Sequence, residues 1–193
     1  MKKTLAALLC LVFLVSGCGK AERSRALQES YAAVKSAELT AEITCHLPEE
    51  SRVFRVRCSY ERDGESAITV TAPEELSGLQ ARVKGPDLSL AYDGLVLAAG
   101  APSAVSAANC LPWLMRAAAE GYVLEECHET LGQTACLRVV FDTTGEDGEK
   151  VLCTVWFDRE TLAPVCAEFS ADGQLRLTAR IIQFSVEPDG AAE

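Results

Sequence analysis

Sulfur and carboxylate supply most of the reactive side chains in this 193-residue chain, which has nine cysteines, 28 acidic residues and only two histidines. His46 and His128 each stand alone in a strand-like run, with no partner at metal-ligand spacing. Their reading is that of solvated strand residues. Glu125-Glu126 are adjacent carboxylates, but neighbours in a strand point to opposite faces and cannot share a proton transfer. Asp142, Glu146, Asp147 and Glu149 surround a glycine turn and miss the EF-hand spacing for calcium. No glycine pattern forms a phosphate loop or dinucleotide fingerprint, and no serine lies in a nucleophile elbow. The residues therefore argue against an enzyme, and against a metal or cofactor. The cysteines lack a Cys-x-x-Cys pair, so neither redox exchange nor zinc is indicated.

Cys18 differs from the other thiols by its position. Lys2-Lys3 precede an apolar stretch from Leu5 to Val15, and Ser16-Gly17 lead directly into the cysteine. A charged start, a short apolar run and small residues make a secretory signal. The run is shorter than the roughly 18 residues that a membrane span needs. With cysteine next, the segment resembles a bacterial lipoprotein signal. An ordinary signal with a chance cysteine is the alternative. The lipoprotein resemblance implies cleavage before Cys18, diacylglycerol on its sulfur and acylation of its new amine. It places the protein on the outer side of the cell membrane. The expected layout is a signal peptide 1–17, a lipidated tether 18–20, one domain 21–187 and a disordered tail 188–193.

Cleavage would remove Lys2 and Lys3 and take the net charge from −10 to about −12. Such an acidic chain suits neither a nucleic acid nor an anionic membrane surface as partner. Seven cysteines would remain: Cys45, Cys58, Cys110, Cys127, Cys136, Cys153 and Cys166. Their number is odd and several sit in strand-like runs, where cysteine acts as a small apolar residue. Mostly free thiols are expected.

The elements follow from periodicity. Glu22 to Ser36 reads as a helix, with Leu27, Tyr31 and Val34 on one side. The period then changes to two. Strand-like runs cover Leu39–Leu47, Val53–Cys58, Ser66–Ala72, Leu79–Val83, Leu88–Tyr92 and Leu95–Ala98. Ser103 to Glu120 reads as a second helical segment that Pro112 splits in two, with Leu111-Pro112-Trp113-Leu114-Met115 starting the second piece and Gly121 stopping it. Strands resume at Tyr122–Glu129, Thr134–Asp142, Val151–Asp158, Pro164–Phe169 and Leu175–Val186. In the last run the apolar phase slips at Ile181-Ile182, which predicts a bulge.

One hairpin has an arguable register. With Leu131-Gly132 as a two-residue loop, Glu125 faces Arg138, Leu124 faces Val139 and Tyr122 faces Phe141. Cys127 then faces Cys136, the one disulfide considered. A three-residue loop would move the register by one. Both faces of the run from Val151 to Phe157 carry apolar residues, with Leu152 and Trp156 on the second face. Something must cover that second face. Alternation puts Tyr122, Leu124, Val139, Phe141, Val155, Phe157 and Leu177 on one concave face, with Trp113 packed over it. These residues are the candidate lining of an apolar ligand site.

Two phrases bear a family resemblance. One is Ile68-Thr69-Val70-Thr71-Ala72-Pro73-Glu74-Glu75-Leu76-Ser77-Gly78 with Leu90-Ala91-Tyr92-Asp93-Gly94. The other is Val155-Trp156-Phe157-Asp158-Arg159-Glu160-Thr161-Leu162-Ala163-Pro164 with Phe169 and Asp172-Gly173. Together they resemble the LolA-like superfamily, the outer-membrane lipoprotein carriers and their relatives, over about residues 21–187. The lipidated, sporeformer germination-lipoprotein group is the nearer likeness. The resemblance implies an α+β fold. An unclosed antiparallel half-barrel of about 11 strands would wrap the N-terminal helix and the proline-broken helix. It implies a non-enzymatic binding protein that holds an acyl chain, a lipid or a partner's apolar segment. The alternative it offers is a protein cofactor that activates a cell-wall amidase during spore germination.

Overall fold

The change of period after the first helix marks where the sheet begins. The computed structural model describes residues 21–85, 87–100, 105–144, 148 and 150–186. The signal 1–17, the tether with Cys18, residues Glu146, Asp147 and Glu149, and the 188–193 tail lie outside the described residues. Helix α1 spans Ala21–Ala33 and hands over to β1, Ser36–His46. Arg62 caps the helix end, donating from Nη2 to the Tyr31 carbonyl at 2.9 Å and from Nε to the Val34 carbonyl at 3.1 Å. A cation at a helix C-terminus also opposes the negative end of the dipole.

Five more strands form a meander: β2 (Ser51–Glu61), β3 (Ser66–Ala72), β4 (Gln80–Lys84), β5 (Asp87–Tyr92) and β6 (Leu95–Gly100). Helix α2 follows, Cys110–Glu120. A second meander completes the domain: β7 (Tyr122–Leu131), β8 (Thr134–Thr144), β9 (Lys150–Asp158), β10 (Pro164–Ala171) and β11 (Gln174–Val186). The two meanders fuse where β1 pairs with β11, giving one antiparallel sheet ordered β6-β5-β4-β3-β2-β1-β11-β10-β9-β8-β7. The sheet does not close, so β6 and β7 are its edges. This is the expected α+β half-barrel.

The concave face buries Leu39, Ala41 and Ile43 of β1, Val155 and Phe157 of β9, Phe169 of β10 and Leu177 of β11. Against them pack Leu27 and Tyr31 of α1 and Leu111, Leu114 and Met115 of α2. Helix α2 is buried nearly all round, with nine residues from Cys110 to Ala119 out of solvent. A helix that is apolar on every side must be enclosed. Each such large side chain contributes about 1.5–3 kcal/mol by leaving water.

As expected, the second piece of the split segment starts around Pro112, which lies in the first turn of α2, and stops at Gly121; the described residues before it, 105–109, are not helical. The Ser106–Asn109 segment is a turn, with the Ser106 N–H on Asn109 Oδ1 at 2.7 Å. Trp113, the residue after the proline, donates its N–H to the Asn109 carbonyl at 2.9 Å. The first helical N–H groups have no partner within the helix, so a proline there loses nothing.

The β7–β8 hairpin turns at Gly132-Gln133, two positions of register from the expected pairing. Gly132 has φ of 64°, and as the first central residue of a tight hairpin it suits that conformation. Glu125 therefore opposes Val140, Cys127 opposes Arg138 and Cys136 opposes Glu129. Cys127 and Cys136 are unbridged, and all seven described cysteines are free thiols. A shift of two keeps each side chain on its face. Glu125 and Arg138 thus still meet, as diagonal neighbours 3.0 Å apart.

Tyr122 and Leu124 depart from the expected common face. Val123 pairs with Phe141 and Glu125 with Val140, so Leu124 is the extra residue of a bulge. The bulge reverses the alternation. Val123 packs on the core, while Tyr122 is 72% and Leu124 49% exposed. The bulge expected at the end of the chain is present. Thr40 pairs with Gln183 and Ala41 with Ile181, leaving Ile182 unopposed.

Candidate functional site

Four chain segments leave a cleft of about 410 Å³ at one end of the half-barrel. β1 ends there and turns through Leu47-Pro48; β10 and β11 meet there in a two-residue turn; Val105-Ser106-Ala107 lead into α2 there. Asp172 and Gly173 both have positive φ, 52° and 71°, as a tight hairpin requires. Cys45 and Leu177 are register partners on the cleft wall. Leu47, Val105, Ala107 and Ala171 add apolar surface. The size falls within the range of small-molecule sites.

Three polar residues join the lining: His46, Ser106 and Arg176. His46 Nε2 is hydrogen-bonded with Thr178 Oγ1 at 2.9 Å. Arg176 arrives by a bulge. Phe169 pairs with Leu177 and Ser170 with Leu175, so Arg176 has no register partner on β10. Bulges re-aim side chains, and this one brings Arg176 into the cleft lining. It also puts Leu175 out of phase with Leu177, leaving Leu175 exposed.

Of the eight expected lining residues, Leu177 alone borders this cleft. Val139, Phe141, Val155 and Phe157 do share the concave face, but they are packed under the helices. Tyr31 meets Phe157 edge-on at 5.3 Å and Phe141 meets Phe157 at 6.4 Å. Trp113 packs over that face and donates from Nε1 to Thr143 Oγ1 at 2.9 Å. Sequence alternation missed Cys45, His46 and Arg176, because the Arg176 bulge leaves no mark in the apolar pattern.

The second apolar face of β9 has a cover. Arg138 lies over the Trp156 ring at 5.8 Å, and Glu129 Oε2 accepts from Trp156 Nε1 at 3.1 Å. A cation on an indole face with a satisfied N–H makes that position stable without a ligand.

The thiols are placed against nucleophilic chemistry. Burial pushes Cys58 up to about 12, with the Glu38 carboxylate adding to the rise, and burial pushes Cys166 up to about 11. Burial raises Cys110 and Cys153 as well. A thiol that resists ionisation is a poor nucleophile. Among the described residues, no group of three or more His, Cys, Asp or Glu side chains could hold a metal ion.

No protein-family model matches this chain, and no curated protein matches it. Solved structures match over most of its length. An uncharacterized conserved protein from Thermus thermophilus is 9% identical, with 86% of this chain and 87% of that one covered and a TM-score of 0.53. A domain provisionally assigned to an outer membrane lipoprotein-sorting protein of Vibrio parahaemolyticus is 12% identical, with coverage of 90% and 92% and a TM-score of 0.50. A LolA superfamily protein from Nitrosomonas europaea is 14% identical, with coverage of 86% and 94% and a TM-score of 0.47.

Proposed function

We propose that this chain, whose fold is the LolA-like half-barrel, is a non-enzymatic binding protein that takes an apolar ligand at the mouth of the barrel. We place it outside the cytoplasm, held on the cell membrane by lipid at Cys18. The cleft beside Leu177 carries the reading. Helix α2 is buried in the barrel interior, and among the described residues the cleft at the end of the sheet offers room for an acyl chain. Apolar walls with a few convergent polar groups are the usual make-up of a ligand site.

The test uses residues 19–193, which lack the signal and the lipid but retain every described element. Titration with cis-parinaric acid should give saturable fluorescence. Ala107→Trp puts an indole into the cleft from a half-buried turn position. It should weaken that binding by about tenfold or more, since a filled site leaves no apolar surface to cover. Unchanged affinity in the variant would remove the cleft as the site.

A second reading is favoured by the edge strand β6. Leu95, Val96 and Leu97 are 72%, 66% and 68% exposed, and the strand carries no charge. An uncharged apolar edge suits strand addition by a protein partner. The family resemblance adds a cell-wall amidase as that partner. Val96→Lys should then abolish the protein complex and leave parinaric acid binding intact.

A further inference from the structure

We infer that the cleft selects an amphiphile with one long apolar chain and a carboxylate head, and that Arg176 holds the head. This rests on the apolar-ligand reading above and adds the polar half of the ligand.

The first argument is the contrast between the walls and the rim. Leu47, Val105, Ala107 and Leu177 offer apolar surface, and among the described residues Arg176 is the only Lys, Arg, Asp or Glu in the lining. The second argument is the free valence of Arg176. Four residues further along β11, Arg180 donates from Nη2 to Glu42 Oε1 at 3.0 Å. Arg176 has no ion pair and no hydrogen bond among the described residues. Its five N–H donors lie in a planar fork that matches the two oxygens of a carboxylate. The third argument is the bulge. An extra residue interrupts the β10–β11 ladder, and the residue it frees is this arginine. Arg176 thus places a cation without a partner among the described residues beside an apolar cleft, in a chain with net charge −10. That excess of negative charge disfavours multiply charged heads and leaves a monoanion as the complement.

Cys45 provides a reporter within the cleft, because it lines the wall and is half-buried. The experiment measures maleimide alkylation of Cys45 by peptide mass spectrometry in the 19–193 protein. Palmitate and hexadecanol, each delivered from cyclodextrin, are compared at equal free concentration. Palmitate should slow alkylation at concentrations about tenfold or more below those needed for hexadecanol. Arg176→Gln should remove that gap and leave hexadecanol protection unchanged. Arg176 is exposed and unpaired, so its replacement leaves the fold intact. Equal protection by the two probes, or a gap that survives in Arg176→Gln, overturns the head-group assignment and leaves the apolar site standing. Protection by neither probe overturns the apolar site itself.

Discussion

Asp158 accepts three hydrogen bonds on one oxygen: from the Glu160 N–H at 2.9 Å, the Thr161 N–H at 2.8 Å and the Thr161 hydroxyl at 3.0 Å. Thr161 Oγ1 in turn accepts from the Ala163 N–H, and Leu162 takes a positive φ of 57° before Pro164 opens β10. The Asp-x-x-Thr-x-x-Pro phrase that carries the family resemblance is therefore a turn device joining β9 to β10. Tyr31 of α1 docks on it, donating its hydroxyl to the Leu162 carbonyl at 2.8 Å. The bonds from Thr161 and Glu160 hold the Asp158 carboxyl below its usual range. A depressed folded value means stability that is present above the unfolded value of about 3.9 and lost as pH falls through the folded one. Asp158→Asn should lower the melting temperature at pH 7 and have little effect at pH 2, read by thermal melts at both. An equal deficit at both pH values would count against the charge-based account. A phrase of this kind is legible because a short turn uses neighbours in sequence. Arg176 was not legible, because its placement depends on a ladder mismatch with a different strand.

Helix α2 depends on a close approach at its end. Gly121 has an ordinary φ of −63°, so backbone conformation does not require glycine. Space does: a Cβ there would stand 2.5 Å from the Ala117 carbonyl oxygen and 3.0 Å from the Phe141 Cβ. Gln28 of α1 also donates to the Gly121 carbonyl at 2.7 Å, so the position joins both helices to β7 and β8. Gly121→Ala should cost about 1–3 kcal/mol, measured as a lower urea midpoint with unchanged slope. At this scale much of the fold was readable. Ser66–Ala72 is a strand with the bounds that alternation indicates, and two successive isoleucines announce the bulge at Ile182. Leu124 gave no such sign. Tyr122-Val123-Leu124 are all apolar, so either parity fits the pattern and only the pairing with Phe141 decides which side faces in. Gly132 could be assigned to a turn, but its place within the turn depends on the φ it adopts.

At the scale of the whole molecule, the function we propose puts attachment and binding in different segments. Among the described residues, no helix is long and apolar enough to cross a membrane. Our reading gives that task to Cys18, three residues before α1 begins. Cys18→Ala should abolish incorporation of an alkyne fatty acid and move the protein out of the membrane fraction; equal label in both forms would refute the anchor. The overall class was accessible from the order of helix and strand periods, whereas the location of the cleft was not. It is formed by the ends of elements that lie far apart in sequence, the close of β1 and the start of β11. That same pairing sets an order of assembly. The two strands at the centre of the sheet are the first and the last of the described strands in chain order, and Ala37 stands opposite Val186. β1 can gain one neighbour early from β2, but its other flank stays open until nearly the entire chain is available. Contacts this distant in sequence form late and slowly. For the exported chain that we propose, this delay would keep the core from locking midway through the membrane, with β11 as the keystone.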